Sequence, residues 1–246
     1  MKLRLMICAM AASTALFATD DVSSYTYGVL AVTNATATTV VGVPWRQVSE
    51  SAAATDISLS NLVSTTGLAT GDIIYLYEGT TWYGYQLSST GVWEPYTTVS
   101  GETTVSAPGS ADAKTLARGT GLIVQRASAA NPIYLCGRYD SSTPEATSVG
   151  AGATVLIANP TTTAKTFGAS DGAVGNQIRV PLDGGGLKIY EKKNDGWGSF
   201  VETTETITRR GKQVTVTTQT WTPGCSLAPG MGAWYVSTNA ATTVAW

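Results

Sequence analysis

The chain has 246 residues, 43% of them hydrophobic and only 13% charged, with a net charge of −2. So low and nearly balanced a charge leaves no electrostatic footprint for nucleic acid and no polybasic anchor for an anionic membrane. Histidine is absent, which removes the commonest general base and the commonest metal ligand together.

Lys2 and Arg4, the apolar run 5–17 and the small residues up to Ala18 make a signal-peptide pattern over residues 1–18, with cleavage after Ala15 or Ala18. The run is shorter than the roughly 20 residues a spanning helix needs. No later segment qualifies, so no membrane span is expected once the signal is removed. Ile7 precedes Cys8 where a lipoprotein signal wants a small residue, which favours soluble export over lipidation. The expected destination is secretion, the periplasm or the cell surface of a Gram-negative bacterium.

Beyond the signal, Thr, Ser, Val, Gly and Tyr alternate with short apolar runs, a strand-and-turn composition. Residues 25–33 read as a first strand and 39–45 as a second. Residues 58–63 are the best candidate for a short helical turn. Gly71-Asp72 opens a strand over 73–77, and Glu78-Gly79 turns it toward 82–87. Val92-Trp93 follows another turn, and residues 96–99 and 103–105 flank a hairpin turn at 100–102. Residues 122–126 and 132–136 close a first unit, 19–137. The polar stretch 138–150 reads as a junction, and a second unit occupies 151–246. Within it, strands 204–208 and 213–217 flank the turn 209–212. Their alternation of Ile207, Val214 and Val216 with Thr and Gln predicts a sheet with one wet face.

Three landmarks recur in order. Thr39 to Pro44 is echoed by Thr154 to Pro160, Ile74 to Glu78 by Leu187 to Glu191, and Gly119-Thr120-Gly121 by Gly230-Met231-Gly232. The offsets are 154−39 = 115, 190−77 = 113 and 230−119 = 111. This spacing predicts an internal duplication. The fold class expected is all-β with little helix: two tandem homologous sandwich- or barrel-like units related by pseudo-twofold symmetry. Strands are expected to be shared across the junction, because the first strand has no evident partner. The Gly-x-Gly pairs, with no helix after them, are not a nucleotide fingerprint. They suit tight turns or the close approach of a neighbouring backbone.

At these residues the chain resembles a family of uncharacterised exported proteins of Verrucomicrobia and related bacteria that carry two copies of a β unit. Tyr27-Gly28-Val29, Gly71-Asp72-Ile73-Ile74-Tyr75, Trp93-Glu94-Pro95 and Leu116 to Val124 match the first copy. Ile157-Ala158-Asn159-Pro160, Trp221-Thr222-Pro223 and Leu227 to Val236 match the second. Arg118 stands where the pattern has Pro, and Gly184-Gly185-Gly186 where it has Gly-Asp. The resemblance implies export and β architecture, and it brings no catalytic residues with it.

Candidate chemistry is sparse. Without histidine no Ser-His-Asp triad exists, and no acidic calcium loop is present. Asp72, Glu78 and Glu94 lie near tryptophans and are the best carboxylates for glycoside chemistry, although turn and edge roles explain them more simply. Cys136 and Cys225, one per unit, could form a disulfide closing a loop worth about 3–5 kcal/mol in the chain-entropy model. The alternative is two separate buried thiols. Trp82, Tyr83, Tyr85 and Trp93 are the candidates for a sugar-stacking face. Alternation puts Trp82 with Gly84 and Tyr83 with Tyr85, so only one set can be exposed. Trp45, Trp197, Trp221, Trp234 and Trp246 sit at motif positions that a β core would fill. The sequence therefore predicts a non-enzymatic structural or adhesive protein of the cell surface or envelope. Its expected partners are further copies of itself or surface glycans, and no metal or cofactor is expected. The alternative is a carbohydrate-binding module using the aromatics of the first unit.

Overall fold

A computed structural model describes residues 27–32, 38–44, 56–78, 81–100, 103–106, 109–127, 131–138, 146–182, 186–209 and 212–246. The signal-like segment 1–18 and Trp45 lie outside the described residues. In the first half the strands are β1 (Tyr27–Val32), β2 (Thr38–Gly42), β3 (Ile57–Ser58), β4 (Ile73–Glu78), β5 (Thr81–Leu87) and β6 (Trp93–Tyr96). They continue with β7 (Thr98–Ser100), β8 (Thr103–Ser106), β9 (Thr115–Leu116), β10 (Gly121–Gln125) and β11 (Ile133–Arg138). One helical turn, α1 (Leu59–Leu62), follows β3 where a short helix was expected. The second half holds β12 (Thr147–Val149), β13 (Thr154–Ala158), β14 (Lys165–Thr166), β15 (Gln177–Pro181) and β16 (Leu187–Lys193). It ends with β17 (Gly196–Arg209), β18 (Lys212–Pro223), β19 (Ser226–Leu227), β20 (Gly232–Val236) and β21 (Thr242–Val244). The protein is nearly all β.

The pairing order of the first half recurs in the second. One main sheet begins β2-β10-β4-β5, the other β13-β20-β15-β16. Each is flanked by two short pairs, β1-β11 and β3-β9 in the first half, β12-β21 and β14-β19 in the second. Period-2 alternation explains the cores. Ile74, Leu76, Leu122 and Val124 point from the first main sheet onto Leu59, Leu116, Ile133 and Leu135 of the flanking elements. Ile178 and Tyr235 of the second meet Val149, Phe167, Leu227 and Val244 in the same way.

Two expectations need correction. Among the described residues no strand is exchanged between halves: β1 pairs with β11 of its own half, and the counterpart pair β12-β21 begins inside the stretch 138–150 read as a junction. The strand orders also align one strand away from where Tyr77 and Tyr190 suggested. β4 matches β15, not β16, because both enter their sheet from the same turn. Gly71 (φ 94°) donates to Leu87 O and Gly175 (φ 89°) to Lys192 O. Leu87 N then returns to Asp72 O, and Lys192 N to Asn176 O. Gly175-Asn176, not Gly184-Gly185-Gly186, therefore takes the place of Gly71-Asp72. The two tyrosines are alike in spelling only, since Tyr77 lies on the outer face while Tyr190 packs on the second core.

The halves meet along a seam of reciprocal contacts. Gly42 N donates to Gly230 O (2.9 Å) and Ala158 N donates to Gly119 O (3.0 Å). The backbone bridges Val41–Met231 and Thr120–Ile157 lie beside them. The glycines permit this approach. A Cβ on Gly42 would lie 1.9 Å from Ala158 Cβ, and one on Gly232 would lie 2.5 Å from Val40 Cγ1. Overpacked sites of this kind typically cost about 1–3 kcal/mol. Gly42→Ala is expected to lose about that much in urea unfolding, whereas Gly150→Ala, whose Cβ would meet only Ala153 Cβ at 3.7 Å, should stay close to the parent.

Candidate functional site

The four candidate aromatics do not share one exposed face. Alternation in β5 holds, and it sends Tyr83 and Tyr85 inward. Tyr85 is fully buried, its hydroxyl without a hydrogen-bond partner, and burial pushes its pKa up, with Glu78 and Tyr83 adding to the shift. Tyr83 packs on the core with Lys114 Nζ 4.8 Å above its ring, and that ammonium also pairs with Glu78 at 2.6 Å. Trp93 is 4% exposed and donates from Nε1 to Val63 O. A ring buried in this way has no face to offer a ligand.

Only Trp82 takes the outer face, where Tyr77 lies 4.9 Å and Trp234 5.6 Å from its ring centre. Tyr75 completes the surround at 6.4 Å. Trp234 belongs to the second half, so this cluster is an aromatic contact across the seam. Edge-to-face pairs of this kind are worth about 0.5–1.5 kcal/mol each beyond the area they bury. Trp197 is buried, with Nε1 bound to Asp171 O at 2.7 Å. Trp221, Trp234 and Trp246 are only half-buried.

The carboxylates do not converge either. Asp72 and Glu78 stand at opposite ends of β4, about 20 Å apart at strand rise, far beyond the separation two carboxylates need to share a glycosidic bond. Asp72 is fully buried and structural: it accepts Ala69 N (2.9 Å) and Ala127 N (2.7 Å). Arg126, equally buried, lies 3.8 Å away and donates to Gly67 O. The second half repeats this turn without charge, for Asn176 accepts Thr238 N and donates to Tyr235. Ser237 there occupies the register position of Arg126. The acid and the amide are thus each matched to their neighbour. Asp72→Asn should cost about 3–5 kcal/mol by urea unfolding, since it leaves the Arg126 charge buried and uncompensated.

No disulfide joins Cys136 and Cys225, so of the two alternatives the bridge is the one the structure does not hold. The first sits in β11 opposite Val29, and the second belongs to the core of the other half. Burial pushes the Cys225 thiol up to about 12, against a smaller opposing influence from Lys188. The folded state therefore keeps this proton where the unfolded chain loses it. Stability should fall as pH rises from about 9 toward 12, and Cys225→Ala should flatten that slope. The native signal-free chain at pH 8 should show Cys225 unreactive to a thiol reagent, with two thiols titrating after denaturation in material that kept no reductant.

The feature that sequence reasoning undervalued is the β17-β18 ribbon. Strands of 14 and 12 residues replace the short hairpin expected. β16 supports β17 only from Gly196 to Gly198, and from Ser199 outward β17 pairs with β18 alone. Eleven paired positions, 199–209, give an arm about 35 Å long at strand rise. It has no dry side: Phe200 to Thr206 and Thr215 to Thr220 are exposed on both faces, Val201 at 46% and Val216 at 39%. This corrects the expectation of one wet face. At its base Phe200 and Trp221 pair at 5.2 Å, with Lys193 Nζ 4.2 Å and 4.3 Å from the two rings. Trp221 lies over Gly198, where a Cβ would meet its ring at 2.6 Å. The arm is therefore fixed at its root. Among the described residues no group of three metal-ligating side chains exists, and no helix is long and apolar enough to cross a membrane.

No protein-family model, curated protein or solved structure matches the chain.

Proposed function

We propose that this chain is an exported, non-enzymatic structural or adhesive component of a bacterial cell surface or envelope, and that its β17-β18 arm joins one copy to another. The single observation that carries the reading is the outer edge of β18. From Gln213 to Thr222 ten consecutive residues contain no charge, no proline and no glycine, and among the described residues no strand pairs with their far side. Soluble β proteins blunt such edges with lysine, proline, bulges or a covering element. Here none of these is used, and Thr and Val supply the β propensity that strand addition favours.

An arm from a second copy fits this edge because both partners present the same uncharged strand. Antiparallel β18-β18 pairing places equivalent residues on either side of a twofold axis. Export through residues 1–18 would deliver the chain to a compartment where such assembly builds a surface. The pseudo-twofold, two-unit organisation belongs to the same reading, with the recurring strand order and the reciprocal seam in its support.

Sedimentation of the signal-free chain should show concentration-dependent association. The pair Val216→Lys and Thr218→Lys, at exposed positions 2 residues apart on one face, should return it to monomer with its melting temperature unchanged. Association that persists in the double variant would end the proposal, as would a wild-type chain that stays monomeric at its highest soluble concentration.

A further inference from the structure

A pocket of about 450 Å³ lies at the seam, between β1-β2 of the first half and β15-β16 with the 228–232 turn of the second. That volume is in the range of small-molecule sites. Its origin can be read from the register. In the first half Leu76 and Ile74 stand opposite Tyr83 and Tyr85. In the second, Val180 and Ile178 stand opposite Lys188 and Tyr190. Where the first sheet fills its inner end with two aromatic rings, the second has one ring and a lysine. The lysine is exposed, so its ammonium leaves the interior and the space inside is not refilled.

The lining is chemically divided. Val32 and Val40 from one half and Val180 and Met231 from the other supply apolar wall. Lys188 supplies the cation, its Nζ 4.9 Å from the centre of the Tyr190 ring that forms part of the wall. Among the described residues no acidic side chain lines the pocket and none pairs with Lys188. A cation held over a ring at the edge of an apolar cavity keeps its N–H donors available, since the π face offers no lone pair to accept them. A neutral apolar guest would leave that charge unanswered, and a cationic guest would be repelled by it.

We propose that this pocket binds a small organic anion with an apolar body, such as a medium-chain carboxylate or an aryl carboxylate, its head on Lys188 and its tail against Val40, Val180 and Met231. The bound anion would bridge the two halves, because the wall comes from both. This site is separate from the arm and does not depend on copies associating through it.

Isothermal titration of the signal-free chain with octanoate tests the assignment, with octylamine as the cation of equal chain length. Octanoate should bind saturably at one site per chain and octylamine should not. Lys188→Met keeps the apolar length and removes the charge; it should weaken octanoate about tenfold or more, the loss of one charge-assisted contact. Leu182→Trp, at an exposed lining position, should reduce binding by narrowing the pocket. Both positions are on the surface, so circular dichroism and melting should match the parent. The inference is overturned if octanoate gives no saturable heat, if octylamine binds as tightly, or if Lys188→Met binds octanoate like the parent.

Discussion

The structure depends on how closely two backbones come together where the halves meet. Gly42 and Ala158 end equivalent strands, and their side-chain positions nearly coincide: a methyl on the first would sit 1.9 Å from that of the second. Room exists for one methyl group, not two. Because these strand ends come so close, Gly42 N can reach Gly230 O while Ala158 N reaches Gly119 O. Each half thereby satisfies a backbone group of the other that would otherwise be buried without a partner, at the usual cost of such orphans. The Gly-x-Gly turns complete the arrangement. Their first glycine adopts positive φ, 85° at Gly119 and 68° at Gly230, and their second leaves space for the facing strand. Each turn also rests on the other half's flanking pair, Gly230 against Leu30 and Gly119 against Trp246.

Much of this was legible in the sequence, and the reasons differ by feature. Glycine pairs ahead of an apolar strand announce close approach whatever the partner, so the seam residues could be named before their contacts were known. Strand alternation likewise placed Tyr83 and Tyr85 on one face and Trp82 on the other. It could not say which face was dry, because β5 has large aromatics on both. Burial was decided by what lies across from the strand: Leu59, Leu62 and Leu116 cover the side of Tyr85. Trp93, at the head of a short strand, reads in sequence like an exposed platform. Its indole in fact closes the core against Val63.

The one-strand shift in the correspondence of the two sheets has a physical lesson. Tyr77 and Tyr190 matched by residue type, yet a side chain on the outer face has no counterpart on an inner one. The invariant was the turn at Gly71-Asp72 and Gly175-Asn176, where the backbone bonds are the same and the side chains differ by a single ionisable group. That difference follows its surroundings, an acid where Arg126 is buried beside it and an amide where Ser237 is. A sequence comparison that scores Asp against Asn as a loss hides the most closely kept local geometry in the chain.

The two halves share a strand order where cores and seam are built, and they differ outside it. The recurring strands β2-β10-β4-β5 and β13-β20-β15-β16 carry cores, turns and seam. Beyond them the halves part. The first sheet ends in β6, β7 and β8, which wrap its last strand and place Val105 and Tyr96 within contact of Gly84. The second extends outward into an arm that covers nothing of its own. Similarly, the register positions filled by Tyr83 and Tyr85 in one half hold Lys188 and Tyr190 in the other, and a cavity results. An uncovered edge and an unfilled pocket each forgo stability that the first half shows to be attainable on the same framework. Departures of this kind from what a framework allows are where functional sites are expected. On the two proposals made above, the arm and the lysine of the pocket both belong to the second half, and the first half would serve chiefly as a scaffold.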